Sequence, residues 1–154
     1  MMYFDHEIAL FKVEAKNQKD ALKILGDEFL KHDLVEKDFI NKVIKREAVF
    51  PTGIILDGNL GVAIPHTSAI YVKKMQIGFM SLAKPIKFGV MGTEDKEVDV
   101  DMIFILAIKD SSKHLDILQK LMGLFKNKAL IDKLRNARDK EAYLNILNTA
   151  GLIK

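Results

Sequence analysis

The run from Val98 to Ile108 constrains the fold more than any other stretch of this 154-residue chain. It reads VDVDMIFILAI and is apolar almost throughout from residue 101 onward. A strand covered on one face alternates apolar and polar side chains, whereas a strand buried on both faces is apolar at nearly every position. The run therefore predicts an inner strand of a sheet that lies between two layers of helices.

Two segments before this run have the apolar spacing of amphipathic helices. The first covers residues 17–32, and Asn17 is its predicted N-cap. The second covers residues 37–47 and is followed by Pro51 and Gly53, which end the helical region. Short β-rich runs then follow at residues 53–56, 61–64, 75–82 and 85–90, with a turn predicted at residues 57–59 between the first two.

Helical spacing returns after the apolar run. Ser111 or Ser112 is the predicted N-cap of a third helix, and residues 128–136 and 139–148 predict two shorter helices. The order of elements is helices, strands, helices, without a repeat or a linker. We expect one α/β domain over residues 1–154, with one sheet between helical layers.

Composition excludes several classes of protein. The chain has no cysteine, so it has no disulfide, no cysteine nucleophile and no thiolate metal site. The formal net charge of +3 comes from lysines and acids that alternate along the chain, which argues against a nucleic-acid-binding stripe. No apolar run approaches the ~18 residues of a membrane span, and the N-terminus does not resemble a signal peptide. These features predict a soluble, cytoplasmic protein.

Several motifs with known chemistry are missing from the sequence. There is no phosphate-binding loop of the form GxxxxGK[ST], no GxGxxG and no GxSxG, so nucleotide binding and a serine nucleophile have no support. No HExxH or paired-histidine spacing suggests a metal site. We therefore expect neither a cofactor nor a metal.

His66 is the histidine whose position stands out among the four. It follows the apolar run Gly61–Ile64 directly after Pro65, which restricts the backbone at the end of a strand. Ligand sites commonly form at such sheet edges, although a histidine there can also serve structure alone. His6 and His32 are expected to be surface residues without a role.

His114 and Arg46 lie at predicted helix ends. His114 falls in the first turn of the third helix, where a neutral imidazole and free backbone N–H groups suit an anion. An exposed histidine that merely tolerates this position is the alternative. Arg46 lies near the end of the second helix, where its guanidinium suits phosphate oxygens or simply complements the helix dipole.

The block REAVFPTGI at residues 46–54, followed by VAIPHT at residues 62–67, resembles the enzyme IIA component of the bacterial sugar phosphotransferase system. The branch is the fructose–mannitol type, and the form of the motif is most similar to its galactitol-specific members. The likeness continues through residues 85–92, 98–107 and 114–118, and covers about residues 5–148.

This resemblance implies a fold and a set of roles. The fold is a central mixed β-sheet with helices on both sides. His66 matches the phosphorylated histidine, His114 an assisting histidine, and Arg46 an arginine that neutralises the phosphoryl group. Thr52, in the same block, is a candidate for a further hydrogen bond.

The resemblance also implies partners. The family receives its phosphoryl group from the histidine phosphocarrier protein and passes it to a cysteine of enzyme IIB, which must be another chain because this one has no cysteine. A protein-histidine phosphotransferase for galactitol or a related polyol is the expected activity. The alternatives are a regulatory enzyme IIA-like phosphoprotein acting through a partner, a nucleic-acid-binding module and a metal-dependent hydrolase.

A relay protein must bind two partners over one histidine, which predicts a shallow apolar collar around His66. Such a collar would exclude water during transfer. The candidates are Ile54, Ile64, Ile70, Phe88, Val90 and Met91.

Overall fold

A computed structural model describes residues 2–56, 58 and 60–153. The strands are β1 (Ala9–Val13), β2 (Gly53–Ile55), β3 (Leu60–Ala63), β4 (Gln76–Gly89) and β5 (Glu97–Ala107). The helices are α1 (Gln18–Lys31), α2 (Phe39–Val49), α3 (Ser111–Lys126), α4 (Lys128–Asn136) and α5 (Lys140–Thr149). Short 3₁₀ turns lie at Met2–Phe4 and Ala69–Tyr71.

The strands form one mixed sheet in the order β1-β4-β5-β3-β2. Strand β1 pairs parallel with β4, and β3 pairs parallel with β5, whereas the β4–β5 and β2–β3 pairs are antiparallel. The central position of β5 confirms the prediction made from its apolar run. The mixed sheet with helices on both faces is the fold that the family resemblance implied.

The side chains of β5 alternate between two cores. Met102, Phe104 and Leu106 belong to the core packed against α3, α4 and α5. Ile103 and Ile105 belong to the core packed against α1 and α2. Burial on both faces explains why β5 is apolar at every position from Met102 to Ala107.

Asp101 is the charged residue of β5 that is buried. Its carboxylate pairs with the guanidinium of Arg135 on α4. A buried carboxylate is costly without a partner, so the apolar run tolerates this residue because α4 supplies a cation.

The structure corrects the predicted elements at three places. Strand β1 was not predicted, because its five residues ALFKV form a short, half-buried edge with little periodicity. The two runs predicted around residues 75–90 are one strand, β4. It passes through Pro85 because its pairing with β5 shifts between Ser81 and Ile86, where the missing proline N–H is not needed.

The third correction concerns the start of α3. Neither Ser111 nor Ser112 is its N-cap. The cap is Asp110, whose carboxylate accepts hydrogen bonds from the Ser112 backbone N–H at 2.9 Å and the Ser112 hydroxyl at 2.7 Å. An ionised carboxylate also complements the positive end of the helix dipole better than a serine does.

The other predicted helices are confirmed within one or two residues of their ends. Asn17 caps α1 by accepting a hydrogen bond from the Asp20 N–H at 2.9 Å. The predicted turn at 57–59 lies partly outside the described residues, and Gly58 within it has a left-handed φ of 85°. No helix among the residues that the structure describes is long and apolar enough to cross a membrane.

Two glycines test this packing with the same chemical change. A Cβ on Gly78 of β4 would lie 2.6 Å from the Phe29 ring, whereas a Cβ on Gly123 of α3 would meet nothing within 4 Å. We expect Gly78→Ala to lower the free energy of unfolding by about 1–3 kcal/mol through overpacking. Gly123→Ala should raise it by about 0.5–1 kcal/mol through helix propensity. Urea denaturation of both variants measures this, and equal effects would contradict the described packing.

Candidate active site

The parallel pairing of β3 with β5 brings the two candidate histidines to one edge of the sheet. Ala63 of β3 lies opposite Ile103 of β5, and the pairing continues to a bridge between His66 and Leu106. Helix α3 begins four residues after β5 ends and carries His114 in its first turn. The carboxyl ends of parallel strands meet at one edge, so His66 and His114 meet there.

The two imidazole rings are in contact. Their centroids lie 5.0 Å apart and their planes make an angle of 80°, so that the rings meet edge to face. Both residues are half-buried. Sequence position alone left a structural role open for each of them, and the structure brings them together at one place.

The backbone fixes the tautomer of His66. Its Nδ1 lies 2.9 Å from the carbonyl oxygen of Ile64. A carbonyl oxygen carries no proton, so Nδ1 must donate this hydrogen bond and hold the proton of the neutral ring. The lone pair of the neutral imidazole is therefore on Nε2, which is the nitrogen able to act as a nucleophile.

Arg46 lies in the last turn of α2 and stacks on an aromatic ring. Its guanidinium carbon is 5.0 Å from the ring centroid of Phe50, which follows the helix directly. Such a cation–π contact restricts a flexible side chain and leaves its N–H groups able to bind an anion. The guanidinium is close enough to His66 and His114 to affect the pKa of both.

Thr52 is buried and bonded to Glu47. Its hydroxyl donates to Glu47 Oε1 at 2.7 Å, and its backbone N–H donates to Glu47 Oε2 at 2.7 Å. The same hydroxyl oxygen accepts a hydrogen bond from the Ile64 N–H at 3.2 Å. Because the single hydroxyl proton points to Glu47, this hydroxyl has no proton left to donate to another group.

The electrostatics favour neutral histidines. Burial lowers the pKa of His66 below its ordinary value, and nearby His114 and Arg46 lower it further, against an opposing effect of the Ile64 carbonyl. Burial and Arg46 also lower the pKa of His114. Neutral imidazoles at pH 7 can act as a nucleophile and as a hydrogen-bond donor without a separate base.

The amino end of α3 differs from the expectation of free backbone N–H groups beside His114. The Asp110 carboxylate accepts from the Ser112 N–H, and the His114 N–H donates to the Asp110 carbonyl at 2.9 Å. The hydrogen bonds with Ser112 lower the pKa of Asp110, so this carboxylate is ionised at neutral pH. An anion near His114 would therefore rely on side chains more than on this helix terminus.

Exposed apolar side chains follow or precede the site residues in the chain. Ile70 is 75% exposed on the turn after His66, Leu115 is 61% exposed next to His114, and Phe50 is 59% exposed beside Arg46. Val49 and Met91 are exposed as well. Exposed apolar residues that group together mark interaction surfaces more often than residues scattered singly.

The structure decides which candidates for the collar are exposed. Ile64 and Phe88 are fully buried, because Ile64 packs into the core beneath α3–α5 and Phe88 into the core beneath α1 and α2. Ile54 and Val90 are half-buried. Of the predicted set, only Ile70 and Met91 are exposed.

His6 and His32 contact each other. Their ring centroids lie 5.8 Å apart, and His6 Nδ1 lies 2.7 Å from the Asp5 carboxylate. His32 is exposed and His6 is half-buried. Within the described ranges no group of three or more histidine, aspartate or glutamate side chains is placed to hold a metal ion.

Sequence reasoning missed Glu47 as a site residue. The signal was present, because Phe39, Val43 and Glu47 recur at intervals of four and so lie on one face of α2. Phe39 and Val43 are buried on that face, and Glu47 is buried with them at 3% exposure. A carboxylate on the buried face of an amphipathic helix needs partners, and here Thr52 provides them.

Residues 2–150 match the family described as "Phosphoenolpyruvate-dependent sugar phosphotransferase system, EIIA 2". The galactitol-specific EIIA component of Escherichia coli strain K12 is 28% identical over 118 residues, which are 77% of this chain and 77% of that protein.

Two solved structures resemble this fold closely. A chain from Streptococcus mutans described as PTS IIA (PtxA) has a TM-score of 0.80 at 21% identity, over 96% of this chain and 92% of that chain. The complex of enzyme IIAMTL and phosphorylated enzyme IIBMTL from Escherichia coli gives a TM-score of 0.73 at 19% identity, over 91% of this chain and 94% of that chain.

Replacing Arg46 should change the titration of both histidines. Arg46→Gln removes a positive charge that lowers the pKa of His66 and His114, so both pKa values should rise. NMR titration of the ring protons measures them directly, and Arg138→Gln at an exposed position is the matched control. Unchanged pKa values in Arg46→Gln would show that the guanidinium does not act on the histidines.

The same shifts link folding stability to pH. The unfolded chain protonates these imidazoles near pH ~6.5, and the folded chain only at lower pH. Their contribution to stability is therefore complete above about pH 6.5 and is lost as the pH falls from there through the lower pKa of the folded state. Burial raises the pKa of Glu47, which works in the opposite direction, so titration of the histidine rings is the cleaner measurement.

Proposed function

Because the chain belongs to the EIIA 2 family of the phosphoenolpyruvate-dependent sugar phosphotransferase system, we propose that it is a protein-histidine phosphotransferase that carries a phosphoryl group on His66 Nε2. The observation that carries this assignment is the pair of contacting imidazoles, in which the Ile64 carbonyl binds Nδ1 of His66. One ring is thereby prepared as a nucleophile, and its neighbour can donate a hydrogen bond to a phosphoryl oxygen.

The reaction consists of two displacements at phosphorus. The lone pair of His66 Nε2 attacks the phosphoryl group of the donor, and the bond from phosphorus to the donor's nitrogen breaks. In the second step an acceptor thiolate attacks, and the P–Nε2 bond returns its electron pair to His66. The transition state is loose and spreads charge over the outer oxygens, so positioning and positive or N–H donors supply the catalysis.

Two side chains are suited to stabilise that charge. The guanidinium of Arg46, restricted by Phe50, offers planar donors for the phosphoryl oxygens. His114 can offer one N–H to a phosphoryl oxygen, from a ring whose lowered pKa keeps it neutral at pH 7. Thr52 is not suited to bind a phosphoryl oxygen through its hydroxyl, because its hydroxyl proton is directed to Glu47.

The partners follow from the chemistry and the family. We propose the histidine phosphocarrier protein as the donor and a cysteine of an enzyme IIB as the acceptor. This chain has no cysteine, so the acceptor thiolate must come from another protein. The complex of a fold relative with a phosphorylated enzyme IIB and the likeness to a galactitol-specific component support transport of galactitol or a related polyol.

His66→Ala should abolish phosphoryl acceptance. The assay incubates the protein with phosphoenolpyruvate, enzyme I and the phosphocarrier, and measures an acid-labile, base-stable adduct of one phosphoryl group per chain. His32→Ala, the same change at an exposed histidine, is the control and should label as wild type does. Full labelling of His66→Ala at another residue would refute the assignment.

In the same assay His114→Ala and Arg46→Gln should still accept the phosphoryl group but transfer it slowly. Losing one donor to developing charge typically costs ~2–4 kcal/mol, and a site open to partners should lose roughly ten- to a hundred-fold in rate. Transfer to a purified enzyme IIB separates a transport role from a regulatory one. A phosphorylated chain that no enzyme IIB discharges would favour the regulatory alternative.

A charge placed on an exposed apolar residue close to His66 or His114 in the chain should slow transfer without unfolding the protein. Ile70→Glu or Leu115→Glu introduces a carboxylate that must be desolvated when a partner docks. Ile55→Glu is the matched control, because Ile55 is 56% exposed and pairs with Gly61 at the other end of β3. Stopped-flow transfer rates and melting curves should show slowed transfer only for the first two variants. Wild-type rates in both would place the docking surface elsewhere.

A further inference from the structure

Glu47 is a buried carboxylate for which the proposed phosphoryl transfer has no direct use. Its side chain is 3% exposed, and each of its oxygens accepts one hydrogen bond from Thr52. Burial raises its pKa, against the opposing effects of Thr52 and Arg46. A carboxylate held in such surroundings is costly, so an apolar residue would serve simple packing better.

A chain of hydrogen bonds leads from this carboxylate to the proposed nucleophile. The Thr52 hydroxyl donates to Glu47 at 2.7 Å and accepts from the Ile64 N–H at 3.2 Å. The Ile64 carbonyl then accepts from His66 Nδ1 at 2.9 Å. Glu47 and His66 are therefore linked through two intervening residues.

The carboxylate sets the direction of this chain. It can only accept hydrogen bonds, so it draws the single hydroxyl proton of Thr52 and leaves a lone pair of that oxygen for the Ile64 N–H. A glutamine in place of Glu47 would replace one of the two acceptor oxygens with an NH₂ group. Thr52 donates to both positions, through its N–H and its hydroxyl, so one donor would then face another donor. One of these bonds would then be lost or reversed.

The backbone next to His66 is held from two sides. On one side the Leu106 N–H of β5 donates to the Pro65 carbonyl at 3.0 Å. On the other side Pro65 has no N–H to offer, so the Ile64 N–H bonded to Thr52 is the amide that fixes this segment. Without that bond the Ile64 carbonyl would be free to turn away from His66.

We propose that Glu47, acting through Thr52 and Ile64, is the positioning residue that holds the His66 imidazole as the Nδ1–H tautomer with Nε2 unprotonated. The two hydrogen bonds of Ile64 belong to different peptide groups, so Glu47 acts by fixing the conformation of Ile64. The inference deepens the proposed function, because the tautomer decides which nitrogen can receive the phosphoryl group. Glu47 itself touches neither His66 nor the transferred group.

The test measures the tautomer directly. Ring ¹⁵N chemical shifts of His66, in histidine-labelled protein at pH 8, distinguish a protonated Nδ1 from a protonated Nε2. Wild type should show predominantly protonated Nδ1. Glu47→Gln and Thr52→Val should both shift the population towards protonated Nε2, whereas Thr52→Ser, which keeps the hydroxyl, should preserve the wild-type spectrum. Thr149→Val removes a hydroxyl bonded to a backbone carbonyl at 3.0 Å on α5 and is the matched control.

The kinetic measurement uses the same variants. Misplacing a reacting group by about 1 Å can cost ~100-fold, so phosphoryl acceptance in Glu47→Gln and Thr52→Val should fall by roughly ten-fold or more. Thr52→Ser should recover most of the rate. Because the tautomer is measured without any phosphoryl donor, that result stands even if His66 is not the phosphorylated residue, and the labelling of His66→Ala tests that question separately.

Two results would overturn the inference. The first is a wild-type spectrum with Nε2 protonated, which needs no variant and therefore no assumption about folding. The second is an unchanged tautomer in folded Glu47→Gln or Thr52→Val, with folding checked by melting curves. A loss of stability together with an unchanged tautomer would show that Glu47 serves the fold alone.

Discussion

The parallel pairing of β3 with β5 is the interaction on which the candidate site depends. It places the end of β3, with His66, beside the end of β5, from which the chain enters α3 and reaches His114. Strand β2, antiparallel to β3, returns Thr52 to the same edge beside Ile64. Backbone pairing therefore brings together residues that are far apart in sequence, and the helices on both faces supply the burial that holds the sheet.

The site combines a neutral nucleophile with charges of both signs. Arg46 is exposed, its guanidinium lies over the ring of the exposed Phe50, and it can meet an incoming anion. Glu47 follows it in sequence but points into the protein, where Thr52 donates a hydrogen bond to each of its carboxylate oxygens. Successive residues of a helix point about 100° apart, so one residue pair supplies both an anion-binding group and a buried acceptor.

Burial has opposite consequences for the two kinds of titratable group. It lowers the pKa of His66 and His114, which keeps them neutral, and it raises the pKa of Glu47. In both cases the low dielectric disfavours the charged form. A partner docked against the exposed side chains of Ile70 and Leu115 would extend this effect, because it would remove water from around the His66 ring.

Sequence pattern determined much of this protein. The apolar run of β5, the helical spacing around it and Pro65 at the end of β3 are local properties of the chain, and they indicated the sheet, its two helical layers and His66. The ordered motifs indicated the family. Local pattern failed to predict three features: the short edge strand β1, the continuity of β4 through Pro85, and Asp110 as the N-cap of α3. The two strands depend on pairing with partners elsewhere in the chain. The N-cap depends on competition between neighbouring residues.

Only the tertiary structure decided the contact of the two histidine rings, the tautomer of His66, the partners of Glu47 and which collar residues are exposed. Ile64 and Ile70 are both isoleucines within four residues of His66, yet Ile64 is buried in the core and Ile70 is 75% exposed. The reason is that periodicity shows only which side chains of one helix or strand share a face. Contacts between segments depend on strand order and register, which arise only when the whole sheet has formed.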